Sequence, residues 1–77
     1  MFLAGAYVND DDLLALANKL RACGRTDCAE HFEWAYYRDV RSFDLSPEER
    51  DDVLVVLGGG CSPTLTPLRS ALEAVAA

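Results

Sequence analysis

The stretch Thr26–Phe43, TDCAEHFEWAYYRDVRSF, constrains the fold most, because it holds the only Trp, the only His, two of the three Tyr and two of the three Phe in 77 residues. Aromatic side chains offer the largest apolar area for burial, so a chain this short has to build its core on whichever face of this stretch turns inward. At 100° per residue Ala29, Phe32, Ala35, Tyr36, Val40 and Phe43 fall on one side, the pattern of an amphipathic helix facing a core. Trp34 and Tyr37 fall on the other, beside Glu30, Glu33 and Arg41. The spacing predicts one helix over 26–43. Its outer aromatics are then exposed, covered by the first or last helix, or stacked under Arg38 and Arg41 four residues on.

The rest of the chain supplies elements to pack against this helix. Residues 1–8 read as a short strand or an extended arm, with Phe2, Leu3, Tyr7 and Val8 as apolar contacts. Asn9 or Asp10 caps a first helix running to about Cys23, with Leu13, Leu16, Ala17 and Leu20 as its inner stripe. Asp10, Asp11 and Asp12 lie where the helix dipole is positive, Lys19, Arg21 and Arg25 where it is negative, and Gly24 suits the residue just past the end. Thr26 then caps the central helix after a turn so short that the two helices pack as a hairpin. Ser46-Pro47-Glu48-Glu49 is a capping box with Pro at the first helical position, the most specific local signal in the sequence. It starts a helix to Leu57 with Val53, Leu54 and Leu57 inward, stopped by Gly58, Gly59 and Gly60. Thr66-Pro67 opens a last helix, Thr as cap and Pro first, with Leu65, Leu68, Leu72 and Val75 as its stripe. The expected fold is all-α: residues 1–77 form a single helical domain, a compact bundle of about four short helices with short connections.

Competing readings of particular segments are weaker. The run Val53–Leu57 is β-branched enough to be a strand, and a strand, Gly-Gly-Gly and a helix suggest half of a dinucleotide fold. Gly58-x-Gly60-x-x-Pro63 lacks the third glycine, however, and the chain is too short for the repeated units. Cys23, Cys28, His31 and Cys61 have zinc-ligand chemistry, but their spacing gives no second pair of ligands near Cys61, so no metal and no cofactor are expected. Cys61, in a Gly-rich loop, is a candidate for an intermolecular disulfide joining a homodimer. His31 has no nucleophile tied to it by any motif, and no Lys follows the glycines to hold phosphate, so no enzyme is expected. The start lacks a positively charged leader and its apolar run of about eight residues is too short for a membrane span, which together with the odd number of cysteines points to the cytoplasm.

Thirteen acidic against seven basic side chains give a net charge of −6. Such a balance disfavours direct contact with nucleic acid or anionic lipid and favours a protein partner with a basic surface. Capping explains part of the acidity, but the first and third helix starts together carry seven carboxylates where one each would serve. The candidate partner-binding residues are Asp10, Asp11, Asp12, Glu30, Glu33, Trp34, Tyr37, Glu48, Glu49, Asp51 and Asp52. The expectation is that the two helix starts merge into one electronegative patch that imitates nucleic-acid phosphates. In size, acidity, helical frame and want of catalytic motif the chain resembles the phage-encoded anti-CRISPR inhibitors. That resemblance implies a DNA mimic in the host cytoplasm that competes with DNA for a basic site on a Cas protein. Separately, Leu13-Leu14-x-Leu-Ala, Gly24-Arg25-Thr26, Ala29, Phe32, Tyr37, Phe43-Asp44-Leu45 and Asp52-Val53 are similar to a helical family of plasmids and other mobile elements, over about residues 13–57, which implies no particular function. The other expectation is a small structural or regulatory adaptor, dimeric or not, whose acidity serves only solubility.

Overall fold

A computed structural model describes residues 1–60 and 62–76. Its elements are β1 (Phe2–Leu3), β2 (Ala6–Tyr7), α1 (Asp10–Ala22), α2 (Thr26–Tyr37), β3 (Ser42–Phe43), α3 (Pro47–Gly58), a 3-10 turn (Pro63–Leu65) and α4 (Thr66–Ala76). Four helices therefore make the frame, and a small sheet of order β2-β1-β3 closes one side of it.

The start of α1 is fixed by Asn9, whose side chain accepts the Asp12 N–H at 2.8 Å, a cap of about 1 kcal/mol. At its other end Gly24 takes φ +81°, the Gly24 N–H donates to Arg21 O and the Arg25 N–H to Leu20 O. This is a Schellman closure, and glycine is what its left-handed position asks for. Because Arg25 is consumed in closing α1, α2 begins at once: Arg25 is its N-cap without a side-chain bond, and Thr26 is already helical rather than the expected cap. Leu13, Leu16, Ala17 and Leu20 of α1 meet Cys28, Ala29 and Phe32 of α2 in the core, with Phe32 fully buried.

The central helix is shorter than its apolar spacing predicts. It ends at Tyr37 and not at Phe43, because Asp39 adopts φ +52° and the Asp39 and Val40 N–H groups donate to Tyr36 O and Ala35 O. A second Schellman closure thus forms with Asp in the place usually given to Gly, a residue that tolerates the left-handed region better than most. The chain then extends, and Ser42–Phe43 pairs parallel with β1, Phe2 beside Ser42 and Leu3 beside Phe43. Phe43 still faces the apolar side, its ring edge-on to Phe32 at 5.5 Å. The inward position of Phe43 survives, but a strand delivers it.

Residues 1–8 form a hairpin, Phe2 opposite Tyr7 and Leu3 opposite Ala6, around Ala4 and Gly5, both at positive φ. Two left-handed residues match the turn to the twist of the strands. Leu3 and Val8 enter the core, while Phe2 and Tyr7 stay outside with rings 5.5 Å apart.

Ser46 and Glu49 make the capping box at the start of α3, with Pro47 at the first helical position. The run 53–57 is helical, and Val53, Val56 and Leu57 are its buried residues; Leu54, expected inward, is half-buried against the core. For α4 the expected cap is displaced. A 3-10 turn begins three residues earlier at Pro63, with Ser62 before it as cap, and Thr66 is already helical. Leu65, Leu68 and Leu72 are buried as the stripe predicts, whereas Val75 is exposed. Among the described residues the core contains no polar or charged side chain.

Candidate protein-interaction surface

The inward face of α2 is taken by Cys28, Ala29, Phe32 and Ala35, which leaves Asp27, Glu30, Trp34 and Tyr37 as one strip along its outside, at i, i+3, i+7 and i+10. Among the described residues no helix closes over the strip: Trp34 is 48% and Tyr37 77% exposed. Both aromatics are braced rather than loose. The Arg38 guanidinium lies 5.7 Å from the Trp34 ring centre, and Tyr37 meets Tyr36 edge-on at 5.2 Å.

Each flank of the strip is tied to a neighbouring helix by a carboxylate. On the α1 side Glu33 pairs with Arg21, whose pKa is raised above its ordinary value by that hydrogen bond and charge. On the α3 side His31 Nδ1 lies 2.5 Å from Glu49 Oε2, with the imidazole between Phe43 at 4.8 Å and Trp34 at 6.0 Å. Partial burial works against charge on Glu49, but the Ser46 N–H and His31 outweigh it and hold its pKa below the usual carboxylate value. The start of α3 is thereby fastened beside Trp34, and Glu48 is exposed next to it in sequence.

The start of α1 does not join this surface. Asp52 accepts from Arg25 Nε at 3.0 Å, and Arg25 also donates to Cys23 O, so this carboxylate sits at the C-terminal end of α1. Asp12, eleven residues back along the same helix and so about 16 Å away at 1.5 Å per residue, accepts from the Thr64 hydroxyl. Asp10 lines a recess with Met1, Phe2, Tyr36, Asp39, Val40 and Arg41. Asp11 is exposed. Instead of one patch fed by two helix starts, Glu49 reaches α2 through His31, Asp52 sits on Arg25 where α1 ends, and the α1 acids lie apart. Arginines also take a share of the charge: Arg25 on Asp52, Arg21 on Glu33, and Arg50 3.9 Å from Asp51. Which carboxylate each arginine takes is not readable from the sequence. The only signal for them was position, Arg21 and Arg25 at the end of α1 and Arg50 inside the acidic turn of α3.

Cys28 is buried and Cys23 exposed; Cys61, the candidate disulfide residue, lies outside the described residues. Burial, with Glu49 and Asp52 adding to it, pushes the Cys28 thiol up to about 12, so it stays protonated at neutral pH and is a poor metal ligand. Among the described residues no three His, Cys, Asp or Glu side chains are placed to hold a metal ion, and the one hydrogen bond of His31 goes to Glu49. No described helix is long and apolar enough to cross a membrane. No family model matches the chain, and neither a curated protein nor a solved structure matches it significantly.

Proposed function

We propose that this protein is a stoichiometric, non-catalytic inhibitor that docks the outer strip of α2 and the adjoining start of α3 onto a basic surface of another protein. One observation carries the reading. A chain with seven aromatic residues leaves Trp34 about half exposed and Tyr37 largely exposed on one helix face, with Glu30 and Glu33 on the same helix and Glu49 tied to it through His31. Rigid aromatics are the usual anchors of protein interfaces, and surrounding carboxylates choose a cationic counterpart. A site that otherwise holds nucleic-acid phosphates is such a counterpart, and a Cas subunit in the host cytoplasm is the concrete case that the resemblance to anti-CRISPR inhibitors suggests. Asp10, Asp11 and Asp12 then act by long-range attraction and not by contact.

The adaptor reading is favoured by the arginine pairs, which lower the free acidity. Competition separates the two. The partner captured from the native host should bind DNA, lose that DNA to equimolar protein, and hold the protein less tightly as salt rises. A partner that binds no DNA, or a complex indifferent to salt, would support the adaptor instead.

A further inference from the structure

Between the hairpin turn, the loop after β3, α3 and α4 lies a recess of about 340 Å³, within the range of small-molecule sites. Ala4, Leu45, Leu72 and Val75 wall it with hydrocarbon, and Arg50 and Asp44 are its charged members. The Arg50 Nε–H is shielded from solvent and has no acceptor, the one such side-chain atom among the described residues. Asp51 Oδ1, 3.9 Å from it, is too far for a hydrogen bond. A shielded donor without an acceptor is costly, and in a native fold it calls for a partner that the chain itself does not provide.

We propose that the recess binds a small apolar carboxylate. Its hydrocarbon lies against Leu45, Leu72 and Val75, and its two oxygens take the edge of the Arg50 guanidinium through Nε–H and one Nη–H, the paired geometry this group favours. Because the Nε–H is shielded where it stands, binding includes a rotamer step of Arg50 that turns this edge of the guanidinium into the recess it lines. Two kinds of molecule carry this chemistry. A plain organic acid meets only Arg50 and is opposed by the exposed Asp44. An apolar α-amino acid offers its ammonium group to Asp44 as well, and as a zwitterion it is not repelled by a chain of net charge −6.

The test is an NMR titration of the whole protein with sodium hexanoate, L-leucine and 1-hexanol, read at the backbone amides. At least one carboxylate should give saturable shifts centred on Ala4, Asp44, Leu45, Arg50, Leu72 and Val75, and hexanol should bind at least about tenfold more weakly than hexanoate or leave no trace. Arg50→Gln should weaken the bound carboxylate about tenfold or more. Asp44→Asn, on the exposed rim, should weaken leucine and strengthen hexanoate, which assigns the source. No saturation by either carboxylate, hexanol binding as well as hexanoate, or an Arg50→Gln protein that keeps full affinity would overturn the proposal. The hexanol comparison decides on the unaltered protein even if Arg50→Gln fails to fold.

Discussion

Glu49 is the joint between α2 and α3, and its removal tests how the candidate surface is held. Its Oε1 accepts the Ser46 N–H at 3.1 Å in the capping box, and its Oε2 meets His31. The capping half is worth about 1 kcal/mol. A hydrogen bond to a charged group is worth about 1.5–3 kcal/mol, and the lower end applies because the imidazole is one-third exposed. Glu49→Ala should therefore cost about 2–3 kcal/mol, a fall in Tm of roughly 10–20 °C for a domain of this size. Glu49→Gln keeps an acceptor for both donors and loses only the charge, so it should cost about 1 kcal/mol. The pKa of Glu49 is lower in the folded chain than its ordinary value, so the stabilisation is complete above about pH 4.3–4.5 and fades as pH falls through the depressed value. Urea unfolding of the wild type and both variants at pH 6 and near pH 2.5 reads this directly, provided the slope m is unchanged. The gap between wild type and Glu49→Gln should be present at pH 6 and nearly closed at the lower pH. A Glu49→Gln protein as stable as wild type at pH 6, or a gap equal at both pH values, would refute the reasoning.

Two further outcomes follow from backbone and burial. Asp39→Gly should raise the urea midpoint, by up to about 1 kcal/mol in stability, because glycine occupies φ +52° without the steric cost that a side chain incurs there; a loss of stability would mean that the Asp39 side chain does something beyond ending the helix. Iodoacetamide at pH 8, followed by peptide mass spectrometry, should label Cys23 readily and Cys28 only on unfolding, since burial keeps the latter thiol protonated and out of reach.

Three helix boundaries were legible because their signals are local: Asn9 and the Ser46–Glu49 box start α1 and α3, and Gly24 closes α1, each acting on residues within three or four positions. Thr26 and Thr66, equally good caps by residue type, are already helical, because the Schellman turn and the 3-10 turn that precede them move the starts of α2 and α4. Buried stripes were legible for the same reason, period 3.6 being a property of one helix at a time. The end of α2 was not, since Asp39 replaces the expected glycine and the apolar spacing runs on through Val40 and Phe43. Beyond the Asp39 closure the chain is held by the pairing of Ser42–Phe43 with a strand forty residues earlier, a contact with no local signature. The candidate surface divides in the same way. That Trp34 and Tyr37 point away from the core follows from periodicity, but their exposure depends on where the other helices pack. Whether the α1 and α3 acids meet depends on the path of α3, which carries Asp52 to Arg25 at one end of α1 and leaves Asp12 at the other.

The central claim is that the outer strip of α2 is a binding surface and not an accident of a small core. Wild-type protein and a Trp34→Ala/Tyr37→Ala double variant, each immobilised and exposed to lysate of the native host, test it when thermal melts are recorded alongside. Exposed side chains contribute little to folding, so the melts should agree within a few degrees. Removal of two aromatic anchors should weaken the captured complex at least about a hundredfold. A double variant that melts like the wild type and retains the same partner with equal affinity would contradict the account.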